Sequence, residues 1–242
     1  SACEVELPCG KTCITRKTSV MEFIDLCYKN YREVWDMQLQ LQQDAIDKKL
    51  EKQTVPGKVL LVEHPHVYTL VRNGNENNLL VNALQLQANN TEIIRIDRGG
   101  DITYHGPGQV VVYPIIDLES FNLRLKDYIH NLEEVVIKTI GQYGIKGERL
   151  NGATGVWIEK DTPRARKICA IGVKCSRYIT MHGLALNVHD DLRYVNYINT
   201  WVLGDKGVTS MEKETAETIS VDAVKQNIIN NFIDVVDAET NI

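Results

Sequence analysis

Residues 109–116, with the sequence QVVVYPII, are the segment that most restricts the fold of this chain. Apolar side chains follow one another there without the polar alternation of a strand that has one wet face. This pattern predicts a strand covered on both faces. A strand of this kind requires further layers of structure on both sides of its sheet. Residues 124–142 offer such a layer, because their apolar residues recur at helical spacing.

The rest of the pattern fits a layered arrangement. Strands are predicted at 21–27, 58–63, 67–71, 91–97, 154–159, 167–175 and 183–188, and further helices at 29–50 and 220–236. The C-terminal helix follows Ser220, a residue type that caps helix N-termini. We expect an α+β or mixed α/β fold, with a mixed central sheet flanked by helices. Residues 1–20 are interpreted as a tail or leader, and residues 21–242 as one domain.

Composition excludes several classes of protein. The chain has 242 residues, of which 43% are hydrophobic and 24% charged, and its net charge is −5. These values are ordinary for a soluble globular protein and give no case for nucleic-acid binding. No apolar run is long enough to predict a membrane span. The six cysteines do not reach the density of a disulfide scaffold, which favours a reducing, cytoplasmic compartment.

A glycine-rich segment, residues 98–109, carries the densest functional signal. Its sequence is RGGDITYHGPGQ, with four glycines and a proline between two strand-like runs. Glycine allows the backbone to approach a ligand closely and to adopt positive φ. The polar side chains of Arg98, Thr103, His105 and Gln109 stand among these glycines. The alternative interpretation is a complicated turn.

Lys167 opens a second candidate segment. Strand alternation places residues 167, 169, 171, 173 and 175 on one face, which puts Lys167 beside Cys169 and Cys175. A lysine that enters a buried strand is costly unless it is paired or used. The alternative is an edge-strand lysine with two core cysteines.

Charge and histidine content add two weaker signals. Six basic residues and one acidic residue lie between Lys160 and Arg177, which suggests either a surface that steers an acidic partner or a solvated loop. The six histidines are scattered and lack supporting carboxylates, so we expect no metal site.

Four motifs together carry a resemblance to a known family. They are Val62-Glu63-His64-Pro65 with Val67-Tyr68-Thr69-Leu70, Arg98 to Gln109 followed by Tyr113-Pro114, Lys167 to Val173, and His182 to Asn187. With these motifs the chain resembles the octanoyltransferases, the lipoyl(octanoyl) transferase family of lipoate biosynthesis. The resemblance extends from about Met21 to about Val235.

The resemblance implies the catalytic-domain fold shared by biotin and lipoate protein ligases. It also implies the transfer of an octanoyl group from acyl carrier protein to a lysine of a lipoyl domain. The expected acceptors are the lipoyl domains of 2-oxoacid dehydrogenases and the H protein of glycine cleavage. The family uses neither ATP nor a metal, so no cofactor is expected. A cysteine thiolate attacks the thioester, and the acceptor lysine then attacks the acyl-enzyme.

The resemblance also implies residue roles. Lys167 is expected to lower the pKa of the nucleophilic thiol and to shuttle protons. The expected acyl pocket comprises Arg98, Gly99, Gly100, Asp101, Ile102, Thr103, Tyr104, His105, Ala170, Ile171, Gly172, Gly183, Leu184 and Ala185. A narrow apolar slot with close backbone approach suits an eight-carbon chain.

One position departs from the family. The family cysteine lies in an Ile-Asn-Pro-Cys-Gly stretch, whereas this chain has Ile198-Asn199-Thr200-Trp201-Val202. An indole has no nucleophilic atom. Four explanations stand open: Cys169 or Cys175 substitutes; the acceptor amine attacks a bound thioester directly; the chain binds acyl groups or lipoyl domains without turnover; or residues 200–204 carry a local sequence error. An ATP-dependent lipoate–protein ligase is the alternative enzyme class.

Overall fold

The protein is described by a computed structural model that covers residues 3–6, 12–17, 20–71, 91–97, 102–195 and 206–237. The strands within these segments are β1 (Cys3–Glu6), β2 (Thr12–Lys17), β3 (Met21–Tyr28), β4 (Gly57–Glu63), β5 (Val67–Val71), β6 (Glu92–Ile96), β7 (Ile102–His105), β8 (Gln109–Ile115), β9 (Glu148–Leu150), β10 (Ala153–Ile158), β11 (Arg166–Ser176), β12 (Ile179–Asn187) and β13 (Gly207–Val208). The helices are α1 (Tyr31–Leu50), α2 (Leu125–Gly141), α3 (Met211–Thr215) and α4 (Val221–Phe232). A 3-10 turn spans Leu118–Phe121, and a π-helical turn, Ile233–Asp237, follows α4.

Two sheets organise these elements. The main sheet has the order β1-β2-β3-β4-β8-β12-β11-β10-β9, and the smaller one has the order β6-β5-β7. In the main sheet β3 and β4 are parallel, whereas the neighbours from β4 to β9 are antiparallel. Short β13 adds to β11 in parallel at Arg166 and Lys167, beyond the residues of β11 that pair with β12. The expected mixed sheet is therefore confirmed.

Strand β8 is covered on both faces, as its sequence predicts, and all seven of its residues are buried. On one face, Val111 and Tyr113 belong to a core with α1 and the smaller sheet. On the other face, Val110 and Val112 belong to a core with α2 and α4. The alternating contributions of one strand to two cores define a helix–sheet–helix sandwich.

Helix α1 is attached to β12 through two buried glutamines one turn apart. The Oε1 of Gln38 accepts a hydrogen bond from the backbone N–H of His182 at 2.8 Å. The Nε2 of Gln42 donates to the carbonyl of Ile179 at 2.9 Å. The β8–β12 register places Pro114, which has no N–H, opposite His182. His182 adopts a positive φ of 60°, and its backbone N–H donates to Gln38.

Most predicted elements are found, with shifted ends. Strand β12 begins at Ile179, four residues before the predicted start at 183, and α1 begins at Tyr31 rather than at 29. Residues 3–6 and 12–17, within the segment interpreted as a tail, form a hairpin that pairs with β3. None of the helices in the described segments is both long and apolar enough to cross a membrane.

Candidate active site

A narrow groove opens where β11 and β12 carry their smallest residues. In the ladder between these strands Ala170 lies opposite Ala185, and Gly172 lies opposite Gly183. The groove is lined by Tyr31, Thr103, His105, Val111, Tyr113, Ala170, Ile171, Gly172, His182, Gly183, Leu184 and Ala185. Helix α1 and strand β7 thus face the ladder across an apolar slot. Small side chains on the ladder leave the space that a thin, flexible chain would fill.

Gly183 also has a structural reason to be glycine. A Cβ atom at this position would lie 2.1 Å from the carbonyl oxygen of Val112 and 2.8 Å from the Cδ of Pro114. Both are atoms of the backbone or of a rigid ring, so they cannot move aside cheaply. The close approach of β8 to β12 therefore depends on this glycine.

The structure brings together eight of the pocket residues that the resemblance implies. These are Thr103, His105, Ala170, Ile171, Gly172, Gly183, Leu184 and Ala185. Ile102 and Tyr104 instead pack with Tyr68 and Leu70 in a separate core of the smaller sheet. Arg98, Gly99, Gly100, Asp101 and Trp201 lie outside the described residues. Their expected roles remain predictions.

Lys167 lies on β11 three residues before Ala170, about 10 Å along the strand at the usual rise per residue. Its Nζ stands over the ring of Trp157, 4.7 Å from the ring centroid. Burial lowers the pKa of Lys167, and the neighbouring Cys169 thiol acts in the opposite direction. A lysine with a lowered pKa exchanges protons near neutral pH more readily than an exposed lysine does.

The prediction that Lys167 and Cys169 share a face is wrong. Cys169 pairs with Val156, whereas Lys167 pairs with Trp157, so one step along β10 corresponds to two steps along β11. Ile168 is therefore the extra residue of a β-bulge. Val156 and Trp157 are consecutive, so their side chains point to opposite faces of the sheet. Their partners, Cys169 and Lys167, therefore also point to opposite faces.

Cys169 consequently lies in the core that contains α2, with 0% of its surface exposed. Burial raises the pKa of its thiol well above the usual range. Cys175 is half-buried against the same core, and burial raises its pKa too. A nucleophilic cysteine needs the opposite environment, accessible and with a lowered pKa.

Aromatic and imidazole rings form the wall of the groove opposite the ladder. His105 stacks on Tyr31 at a centroid distance of 5.6 Å, and His64 lies 5.8 Å from His105. The Nδ1 of His64 donates to the carbonyl of Lys29 at 2.7 Å, so its Nε2 accepts from the hydroxyl of Tyr113 at 2.9 Å. Burial lowers the pKa of His64 to about 4, which keeps this ring neutral at physiological pH.

Sequence reasoning missed four lining residues: Tyr31, Val111, Tyr113 and His182. Tyr113 and His182 belong to motifs of the resemblance, and that membership was the available signal. Tyr31 and Val111 come from the apolar periodicity of α1 and β8. Their patterns predict burial and do not show which buried residues border a groove.

The basic segment between Lys160 and Arg177 is largely neutralised by acidic partners. Arg166 contacts Glu159 at 2.9 Å and Glu214 at 2.5 Å, and Arg164 contacts Glu159 at 3.1 Å. Lys174 pairs with Asp97 at 2.6 Å. A strongly positive docking surface is therefore not formed by these side chains. Within the described segments, no group of His, Cys, Asp or Glu side chains has the arrangement of a metal site.

Comparison with known families gives a consistent result. Residues 30–233 match the family model described as the lipoyl protein ligase A/B catalytic domain. An octanoyltransferase from Bacteroides thetaiotaomicron is 53% identical over 198 residues, which are 82% of this chain and 87% of the relative. One from Cytophaga hutchinsonii is 46% identical over 227 residues, covering 90% and 92% of the two chains.

Solved structures agree at the level of the fold. A bi-partite lipoate protein ligase from Thermoplasma acidophilum aligns with a TM-score of 0.65 at 14% identity, covering 88% of this chain and 82% of that one. A lipoate-protein ligase A bound with ATP aligns with a TM-score of 0.62 at 14% identity, covering 90% and 85%. At such identities the likeness concerns architecture alone.

Proposed function

The chain belongs to the octanoyltransferases of the lipoyl protein ligase A/B catalytic-domain family, and on this premise we propose that it transfers an octanoyl group from octanoyl-loaded acyl carrier protein to a lysine of lipoyl domains. The proposed cargo is a single unbranched eight-carbon chain. The donor thioester already carries the activated carbonyl, so the reaction requires no ATP.

The observation that carries the proposal is the groove itself. Alanine and glycine pairs on β11 and β12 line a slot, and the partly buried amine of Lys167 stands on the strand that forms one of its walls. The slot suits the fatty chain, and the amine with its lowered pKa suits proton transfer at the reacting carbonyl. The pocket residues from Arg98 to Asp101, which lie outside the described residues, are proposed to line the same slot.

The residue at position 201 decides between two chemical routes. With a cysteine there, the thiolate would form an acyl-enzyme before the acceptor amine attacks. With Trp201, the acceptor amine attacks the bound thioester directly: a new N–C bond forms, the C–S bond breaks, the amine gives up a proton, and Lys167 protonates the leaving sulfur. Cys169 does not take the nucleophile's role in this proposal, because its thiol is buried in the opposite core.

The test uses the full chain, octanoyl-loaded acyl carrier protein and a lipoyl domain, with intact-mass analysis of every protein. The chain is expected to octanoylate the lipoyl domain without ATP and without acquiring an acyl group itself. The Trp201→Cys variant is expected to acquire one octanoyl group and to transfer it faster, by about tenfold or more, as covalent catalysis divides the barrier. Failure of both proteins to modify the lipoyl domain would refute the proposal.

The competing functions give different outcomes in the same experiment. A binding protein without turnover would retain octanoyl carrier protein but leave the lipoyl domain unmodified, and only Trp201→Cys would transfer. A ligase would modify the domain from free octanoate with ATP. Resequencing the gene across codons 198–206 tests the remaining explanation, since a sequence error would replace Trp201 itself.

A further inference from the structure

A chain of hydrogen bonds runs from the backbone of Lys167 to a histidine in the groove. The N–H of Thr209 donates to the carbonyl of Lys167 at 3.0 Å, and the Nδ2 of Asn187 donates to the carbonyl of Thr209 at 3.0 Å. The Nε2 of Gln109 donates to the Oδ1 of Asn187 at 3.0 Å and to the carbonyl of Tyr104 at 3.2 Å. The Oε1 of Gln109 lies 2.8 Å from the Nδ1 of His105.

The direction of every bond in this chain is determined. A backbone carbonyl only accepts, so Asn187 must place its NH₂ group toward Thr209 and its oxygen toward Gln109. Gln109 must in turn place its NH₂ group toward Asn187 and Tyr104. Its oxygen then faces His105 and can only accept, which requires a proton on the Nδ1 of that ring. In the neutral ring the Nε2 of His105 is therefore the basic nitrogen.

The hydrogen bond to Gln109 places the ring of His105 toward the end of the groove that is nearer to Lys167. In the β8–β12 ladder Gln109 pairs with Asn187, which lies beyond Leu186, the partner of Cys169. His105 borders the groove and is 6% exposed. The described groups packed around its ring include Tyr31 of α1, His64 after β4 and Gln109 of β8, and His64 is held neutral.

We propose that His105 accepts the proton from the attacking lysine amine and that Gln109 is the positioning residue that holds His105 in the required tautomer. The inference rests on the proposed function and deepens it. It applies to either route, because an amine that forms an amide must lose a proton whether the acyl group is on the carrier or on the enzyme.

The proposed step divides the proton movement between two side chains. The amine nitrogen bonds to the carbonyl carbon while the C–S bond breaks, and the nitrogen's proton passes to the Nε2 of His105. The leaving sulfur takes a proton from the ammonium of Lys167. Proton exchange with water then returns His105 to the neutral form and Lys167 to the ammonium form, so no other reactant is needed.

The tautomer is tested by nitrogen NMR of histidine-labelled protein, with the His105 signals assigned from a His105→Asn variant. Wild-type His105 is expected to carry its proton on Nδ1. Gln109→Met should abolish this preference, whereas Gln109→Glu should retain it because its carboxylate still accepts from Nδ1. Gln42→Met is the matched control, since it removes another buried glutamine hydrogen bond far along the chain from His105. A wild-type ring protonated on Nε2 would overturn the assignment.

The catalytic role is tested by transfer kinetics in both the Trp201 and the Trp201→Cys backgrounds. His105→Asn is expected to lower kcat by about 100-fold, the lower range for general base catalysis, with little change in KM for the octanoyl carrier. Gln109→Met should lower kcat by about tenfold, Gln109→Glu should restore most of it, and Gln42→Met should leave it unchanged. Wild-type kcat in Gln109→Met together with an altered tautomer would refute the role of His105. Absence of transfer in both backgrounds would instead refute the proposed function, while the NMR result would still decide the tautomer.

Discussion

The environment of Lys167 favours its neutral form, yet it still provides one favourable contact for the charged form. Burial lowers the pKa of its amine, while the face of Trp157, 4.7 Å from Nζ, still stabilises the cation. Burial and the aromatic face thus act on the amine in opposite directions. This balance is what a residue needs if it has to release and recover a proton in each turnover.

Replacement of Lys167 by Met is expected to abolish most of the transfer activity while the fold survives. Transfer should fall by about 100-fold or more, because the proton donor and acceptor is lost. The free energy of unfolding should not fall, since methionine fills the same space without a buried charge. Lys174→Met, on the same strand and paired with Asp97, is the control and should retain activity. Initial rates and chemical denaturation of both variants measure these effects, and an active Lys167→Met variant would contradict the assigned role.

The sequence predicted single residues unevenly. Lys167 was recognisable because a lysine at the start of an apolar strand is unusual, and the family motif agrees. The expectation that the amine and the Cys169 thiol share one face was wrong because the pattern around Ile168 contains no mark of an extra residue. A bulge is specified by the pairing of two strands, which a single stretch of sequence does not contain.

At the level of elements, the contact between β8 and β12 determines the shape of the groove. Residues Leu184 to Asn187 pair with Val112 to Gln109 in regular register. Beyond them Pro114 interrupts the ladder, and Gly183 allows the two backbones to remain close. The shape of the groove therefore depends on two neighbouring residues: Gly183, which has no side chain, and Pro114, which has no backbone N–H.

Gly183→Ala is expected to destabilise the protein by about 1–3 kcal/mol, the usual cost of overpacking a core, because its Cβ would meet the Val112 carbonyl at 2.1 Å. Gly141→Ala is the matched control: Gly141 ends α2, and a Cβ there would meet nothing within 4 Å. The control should be as stable as the wild type or slightly more stable. Urea denaturation of both variants checks this, and equal stabilities would contradict the close-approach argument.

Elements with a strong periodic signal were predictable, and those defined by polar contacts were not. The QVVVYPII run and helix α2 were identified because burial alone explains their composition. The first part of β12 was missed because Thr180 and His182 look like loop residues. Both are buried, however, with the Thr180 hydroxyl bonded to the carbonyl of Pro114 at 2.8 Å and the His182 amide bonded to Gln38. Such partners are distant in sequence and become visible only in the fold.

At the scale of the whole molecule, the buried carboxyl of Asp190 makes the stability of the fold depend on pH. The residue is 5% exposed, and among the described residues neither carboxylate oxygen has a hydrogen-bond partner. Burial raises the pKa of Asp190 to about 8, and the neighbouring charge of Asp191 acts in the same direction. The folded state therefore holds a proton that the unfolded state releases near pH 4. The contribution of this group to stability is present at low pH and is lost as the pH rises from about 4 to about 8.

Asp190→Asn is expected to stabilise the protein more at about pH 9 than at about pH 5, because asparagine removes the ionisation that disfavours the folded state at high pH. Asp191→Asn is the adjacent control. Its carboxylate is bonded to Arg193, which lowers the pKa of Asp191, so it is ionised at both pH values and its replacement should have nearly the same effect at each. Chemical denaturation of the wild type and of both variants at the two pH values gives four differences in the free energy of unfolding. A pH-independent effect of Asp190→Asn would contradict the linkage.

Net charge was a poor guide to surface electrostatics at this scale. The local excess of positive residues near Arg166 is correct as a count, yet Glu159 and Glu214 neutralise that side chain from other parts of the chain. Counting charges along a sequence cannot reveal pairs formed across it. The overall class of fold was predictable because it depends on summed apolar patterns, which do not require such pairing information.

The bulge at Ile168 has a chemical consequence for any protein that handles activated acyl groups. Under the proposed function, a thioester bound in the groove would be an acylating agent toward every exposed thiol within reach, including the protein's own. Cys169 points into the interior, on the face of β11 opposite to that of Lys167, so its sulfur is shielded from acylation by the proposed donor.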